Sequence, residues 1–232
     1  MTEDRIRVGT FNVKRLSARE RRRAGDIASV VRTCALDVLT LEEVELGAAL
    51  EIARGAGFAH TSFVGHAHRA PRGVAVLHHA PALERGGARV PARWLDDKGF
   101  TRVLLGHARG AIELVGLHLD WLHRAARERQ IREIATSLGP PRAPRVVLGD
   151  LNAMGPRALG RTHDDTVHAL GRALEVSPHA PTVPTFPSAR PRWALDWVLA
   201  SEPLAIEAVE VLPTAHSDHA LLVAELAWAR AA

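Results

Sequence analysis

Val146-Val147-Leu148 reads as a buried strand that ends directly in Gly149-Asp150-Leu151-Asn152, so a carboxylate and an amide leave the sheet two residues apart and face the same way. Glycine permits a close backbone approach, and the Asp/Asn pair sets an anionic oxygen beside a neutral donor and acceptor, which suits a phosphate held with a hard metal ion. An apolar run followed by a polar cluster recurs at Phe11-Asn12, Leu41-Glu42-Glu43, Leu117-His118-Leu119-Asp120, Leu195-Asp196-Trp197 and His216-Ser217-Asp218-His219. One such ending is common, and this ordered set is not.

A phosphoester resists water because its anionic oxygens repel a nucleophile, so its hydrolysis calls for a metal ion, an activated water and donors for the developing charge. Glu43, at a strand end, is the first candidate ligand for Mg²⁺ or Mn²⁺, since hard ions prefer carboxylate oxygen. His219 is the candidate general base, with Asp196 holding its ring in the productive tautomer. Asp218 is expected to approach the metal, Asp150 to orient or deprotonate a water, Asn152 to bind a phosphate oxygen, and Asn12 to hold Asp150 or the metal's waters. His60, His66, His68, His78 and His79 come with no His-Glu-x-x-His helix or cysteine pair, so they are read as surface or loop residues rather than a zinc site. Trp121 and Cys34 are read as packing residues.

The elements that carry these residues mix strands and helices. Arg5 to Phe11 reads as a strand, Ala24, Ile27, Ala28 and Val31 as one helix face, and Asp37 to Leu41 as a second strand. From Phe58 to Leu119 short strands follow one another between Pro, Gly and Asp punctuation: Gly73 to His78, Arg89 to Trp94, Thr101 to His107 and Ala111 to Leu119. A helix with the stripe Ile131, Ile134, Ala135, Leu138 is expected from near Trp121 to Gly139. The Pro-rich stretch Ser177 to Pro191 reads as an extended loop, with strands near Trp197, Val209 and Leu222. Two mixed sheets packed face to face with helices outside, a four-layer α/β/β/α sandwich, account for this order.

With 232 residues and no linker-like stretch, one domain over 1–232 is expected. No apolar run approaches a membrane span, the start lacks the pattern of a signal peptide, and a lone cysteine excludes an internal disulfide, so a cytoplasmic monomer is expected. The net charge is +4 and the basic side is nearly all arginine, with Lys14 and Lys98 the two lysines. The arginines are scattered, and the run Arg19-Glu20-Arg21-Arg22-Arg23 reads as a solvated helix face rather than a nucleic-acid patch. With no tyrosine and five phenylalanines, no stacking platform for single strands is visible.

The markers Gly9-Thr10-Phe11-Asn12-Val13, Leu41-Glu42-Glu43-Val44, Gly116-Leu117-His118-Leu119, Gly149-Asp150-Leu151-Asn152, Ala194-Leu195-Asp196-Trp197 and Ser217-Asp218-His219 together resemble the endonuclease/exonuclease/phosphatase superfamily, with the fold of deoxyribonuclease I and exonuclease III. Lesser similarities are Arg72-Gly73-Val74-Ala75-Val76-Leu77, Gln130 and Thr185-Phe186-Pro187. The resemblance implies a divalent-metal-dependent phosphoesterase. It makes Glu43 the inward-facing ligand although Glu42 stands where the family usually has Gln, and it makes His118 a phosphate-contacting histidine. Ala194 replaces a usual arginine, so Arg190 or Arg192 is expected to supply a phosphate contact instead. Abasic-site enzymes usually carry Asp or Asn where this chain has Lys14, and they lack the His118-Leu119 pair, so the resemblance leans toward phosphatases, sphingomyelinase-like enzymes and broad phosphodiesterases.

The reading from sequence is thus a Mg²⁺- or Mn²⁺-dependent hydrolase acting on a small-molecule, lipid-headgroup or nucleic-acid phosphoester by in-line water attack. The alternatives are a nuclease in the same fold and a degenerate phosphate-binding protein. Lys14 is expected to meet anionic oxygen on the substrate. Compared side by side, kcat/KM should be negligible for an abasic duplex and measurable for small phosphoesters, and an abasic duplex as the best substrate would overturn the branch assignment.

Overall fold

In a computed structural model, residues 4–66, 71–90, 98–153 and 165–229 are described. Strands are numbered in chain order. β1 (Arg5–Leu16), β2 (Val38–Glu45), β3 (His60–Gly65), β4 (Arg72–His78), β11 (Leu204–Leu212) and β12 (Leu221–Trp228) form one sheet in the order β11-β12-β1-β2-β4-β3. The other holds β5 (Ala82–Val90), β6 (Lys98–His107), β7 (Gly110–His118), β8 (Arg145–Asp150), β9 (Ser177–Pro178) and β10 (Asp196–Ala200) in the order β5-β6-β7-β8-β10-β9. Each sheet contains one parallel pair joined by a helix: α1 (Arg21–Thr33) crosses from β1 to β2, and α3 (Arg124–Leu138) from β7 to β8. α2 (Leu46–Ala56) and α4 (Thr166–Leu174) complete the outer layers.

Alternation within the strands builds three cores. Val8 and Val38 pack between the sheets with Val146, Leu148 and Val198, whereas Phe11, Leu39 and Leu41 face Ile27, Val31 and Ile52 of the first two helices. Val147 and Leu117 face Ile131, Ile134 and Leu170 on the opposite outer side. The central strands are therefore covered on both faces and read as continuous apolar runs. This is the expected four-layer α/β/β/α arrangement.

Local departures have local causes. α3 begins at Arg124 rather than near Trp121, because Asp120 Oδ1 accepts the N–H groups of Leu122 and His123 and turns the chain first. α2 and α4 carry little signal in sequence. The buried stripe of α2 is mostly alanine (Ala48, Ala49, Ile52, Ala53), a weak apolar signal, and that of α4 is short. The strand expected over Arg89 to Trp94 overlaps the end of β5, and residues 91–97 lie outside the described ones. Arg23 does not belong to a solvated face: its guanidinium donates to the Val13 carbonyl and, at 2.8 Å, to that of His216, strapping β1, which bears Asn12, to the connection that bears Asp218.

Arg145, fully buried, opens β8 and ties three elements together. It pairs with the Glu113 carboxylate and donates to the carbonyls of Leu174 and Gly139, both at 3.2 Å, at the C-terminal ends of α4 and α3. Arg102 also pairs with Glu113 from a more exposed position. Arg145→Met should cost about 3 kcal/mol or more, because a buried carboxylate loses one of its cations and two helix-end carbonyls lose their donor. Urea denaturation checks this, with Arg102→Met as the milder comparison.

Candidate active site

The polar strand endings converge because both parallel pairs present their C-terminal ends at the same edge of the sandwich. Asn12 pairs in register with Glu42 there, and His118 with Asp150, which itself pairs with Asp196. The cleft at this edge has a volume of about 420 Å³, within the usual range for small-molecule sites. Asn12, Glu43, His118, Asp150, Asn152, Asp218 and His219 all line it, as does Lys14.

Asp150 is the buried centre. Its Oδ2 accepts from Asn12 Nδ2 at 2.9 Å, across the gap between the sheets, and its Oδ1 accepts the Asn152 N–H at 2.9 Å. Burial pushes its pKa up to about 6, against the partial relief of the nearby His219 imidazole. His118 Nε2 and His219 Nε2 lie 3.6 and 3.8 Å from Asp150 Oδ2. His219 Nδ1 donates to Asp196 Oδ2 at 2.8 Å, and Thr185 Oγ1 donates to the same oxygen at 2.5 Å. Burial works against the His219 imidazolium, yet the carboxylates of Asp196, Asp150 and Asp218 outweigh it and raise its pKa to about 10. His118 is held neutral, first by its complete burial and then by Lys98 and His66.

The two adjacent glutamates part company. The register slips by a bulge between Leu41 and Val44, and Glu43 takes a left-handed backbone (φ 55°) that turns its side chain into the cleft. Glu42 is fully buried beneath the site, where Thr10 Oγ1 donates to it at 2.8 Å. Burial, with Asp196 and Asp150 close by, raises its pKa well above the usual carboxylate range and favours the neutral acid. Lys14, Arg15 and Asn152 also have positive φ, so four of the six described non-glycine residues with such backbones line the cleft. Strain of this kind persists where surrounding structure over-determines it.

Several side chains sit otherwise than read from sequence. Arg190 and Arg192 are exposed on their loop and are not among the residues lining the cleft; Arg15, Arg72 and Lys98 are. Lys14 lines the cleft with its ammonium 3.0 Å from Asp218 Oδ2. Trp121 is largely exposed at the cleft rather than packed in a core. His66 and His78 are buried, not surface residues: His66 lines the cleft, while His78 donates to the Ala80 carbonyl at 2.6 Å and stacks on His60. His79 stacks on Phe58, and His68 lies outside the described residues. Arg72 opens a segment already similar to the family and Lys98 carries no signal in sequence beyond its charge, but neither is marked as a cleft residue, since strand alternation does not say which end of a sheet faces a cavity.

Among the described residues, Asp150, Asp196 and His219 offer ligand atoms within 4.8 Å of one another, a group that could hold a metal ion. A second oxygen-rich set lies at the open side: Asn12 Nδ2 is 3.4 Å from Glu43 Oε1, and Asp218 faces the same cleft. Oxygen donors with no cysteine suit a hard dication.

The sequence profile of the Endonuclease/Exonuclease/phosphatase family matches residues 9–219, from the first marker glycine to His219. The chain belongs to this family. Its members hydrolyse phosphoester bonds and generally depend on divalent metal. Similar solved structures include a family protein from Bacteroides thetaiotaomicron (15% identity, TM-score 0.78, covering 97% of this chain and 98% of that one). Sphingomyelinase C from Streptomyces griseocarneus shares 20% identity at a TM-score of 0.72, covering 95% and 99% of the two chains. A mannosyl-6-phosphatase from Bacteroides thetaiotaomicron shares 15% identity at 0.74, covering 95% and 99%. These likenesses establish the family's fold. None of the curated proteins compared matches the chain. No helix among the described residues is long and apolar enough to cross a membrane.

The raised pKa values of His219 and Asp150 have a measurable sign. A group that binds its proton more tightly when folded contributes stability at low pH that is lost as pH rises through its folded value. In chelator, stability should therefore fall as pH rises from about 4 to 6 through Asp150, and again from about 6.5 to 10 through His219. Urea midpoints across pH 4 to 10.5 check this, and His219→Gln should flatten the upper slope.

Proposed function

We propose that this chain is a divalent-metal-dependent phosphoesterase that hydrolyses a small phosphoester by in-line attack of water. The observation that carries the reading is the Asp196-His219-Asp150 group opening into a cleft whose other wall bears Asn12, Glu43 and Asp218. Glu43, Asn12 and Asp218 would hold Mg²⁺ or Mn²⁺. This set is preferred to Asp150, Asp196 and His219, because Asp196 Oδ2 and His219 Nδ1 are already bonded to each other and Thr185 occupies the same oxygen. Such an ion also keeps several waters and needs the roomier side. When bound, it supplies Lewis acidity to a phosphate oxygen and acidifies water.

The remaining chemistry belongs to the chain's own groups. Asp196 and Thr185 fix the His219 ring so that Nε2 faces the cleft beside Asp150. With the imidazolium favoured in the free chain, His219 is set to donate to phosphate oxygen, and it would serve as a base if a bound dication offset its three carboxylate neighbours. Asp150, with a pKa near 6, is poised to orient and deprotonate the attacking water at neutral pH. Asn152 has one Nδ2 hydrogen committed to the Leu119 carbonyl at 3.0 Å and a second available to a phosphate oxygen. Neutral His118 donates without adding charge.

The cleft's modest volume and the absence of an interleaved aromatic platform favour a small substrate over a nucleic acid. One similar structure is named a mannosyl-6-phosphatase and another a sphingomyelinase C, names consistent with substrates of this size. A binder without turnover would have no use for both an acid set and an Asp-His pair.

Turnover of a panel of small phosphoesters should vanish in chelator and return with Mg²⁺ or Mn²⁺, and full activity of metal-free protein would sink the reading. Glu43→Ala should weaken metal affinity at unchanged urea midpoint. His219→Ala and Asp196→Asn should each lower kcat by about a hundredfold or more, and the double variant should be little worse than His219→Ala, because the pair acts as one unit.

A further inference from the structure

The cleft also has a wall of nitrogen donors, reached by Arg72 from the strand that pairs with that of Glu43. Lys98 is nine-tenths buried and lines the cleft, yet makes no hydrogen bond or ion pair with any described residue. Arg72 lines the same wall with its Nε buried and unbonded. His66 is nine-tenths buried and has neither ring nitrogen hydrogen-bonded, and its ring meets that of His118 edge-on with centroids 5.9 Å apart. These three come from neighbouring positions in space, since the His66 N–H donates to the Arg72 carbonyl at 2.7 Å and an added Cβ on Gly99, next to Lys98, would lie 3.5 Å from His66 Nδ1.

We infer that Lys98, Arg72 and His66 form a second anion subsite in the cleft, which takes a second phosphate carried by the same substrate. The inference rests on the phosphoesterase reading for the identity of the first phosphate. The buried Arg72 Nε and His66 ring nitrogens have no partner, which is costly, and an arriving anion is what offsets that cost. Arginine beside it adds a planar fork matched to phosphate, and a neutral imidazole adds a donor. The position is distinct from that of the scissile group. Gly99 on β6 pairs with His118 on β7, and His118 pairs with Asp150 on β8, so Lys98 starts about two strand spacings, roughly 10 Å, from the Asp150 centre. A phosphoryl group placed against Asp150, Asn152 and His219 would sit at the other end of that span from the Lys98 backbone.

The test compares wild type with Lys98→Met, Arg72→Met and Lys98→Arg. Each is assayed with a sugar bisphosphate and its monophosphate, and with a dinucleotide with and without a 5′ phosphate, so that a small-molecule and a nucleic-acid source of the second phosphate are told apart. Wild type should prefer the doubly charged member of one pair by about tenfold or more in kcat/KM, through KM. Lys98→Met and Arg72→Met should collapse that ratio toward one, and Lys98→Arg should restore part of it. Equal losses on both members of each pair would place Lys98 on the scissile phosphate and overturn the inference. In parallel, calorimetry with pyrophosphate in chelator reads the subsite without turnover. Binding should be lost in Lys98→Met and kept in Glu43→Ala, and unchanged binding in Lys98→Met would also overturn it. Absence of turnover in wild type with pyrophosphate binding intact would count against the phosphoesterase reading alone.

Discussion

The site depends on keeping one carboxylate, Asp150, almost out of water between two sheets. Burial alone disfavours its charge, so its surroundings must supply donors from both sides: Asn12 from one sheet, the Asn152 backbone from its own loop, and two imidazoles within 4 Å. The Asn12-Asp150 bond is also a polar contact between the two sheets at the edge where the apolar core ends. Its length requires the parallel pairs β1/β2 and β7/β8 to finish level with each other. The strap by Arg23 ties β1 to the connection before β12 at that edge.

Electrostatically, the site is layered. Glu42 lies beneath it as a favoured neutral acid, so the centre is not surrounded by yet another negative charge. Above it, Asp196, Asp150 and Asp218 hold His219 in its charged form, while His118 and His66 stay neutral because burial and nearby cations oppose protonation. Two imidazoles about as buried as each other thus carry opposite charge states, and the difference is the company each keeps.

The short strand-end clusters made the site legible. Asn12, Glu43, His118, Asp150, Asn152, Asp218 and His219 all reach one cleft because a strand that ends in polar residues has nowhere else to put them than the sheet's edge, and two βαβ units order those edges together. The four layers were legible for a related reason: continuous apolar runs need cover on both faces, and amphipathic helices supply it.

What the amino-acid order determined by itself was therefore local: element type, the polar endings, and through them the fold and the acid-imidazole set. Only the tertiary structure decided which of two adjacent glutamates faces the cleft, because a one-residue bulge and a left-handed φ at Glu43 reverse the alternation that sequence spacing assumes. It also set Arg190 and Arg192 outside the cleft lining and brought in Arg15, Arg72, Lys98 and His66, whose positions in sequence are far apart. Charge state was likewise a property of the assembled site, since a pKa is set by burial and by neighbours that only folding brings within a few ångströms.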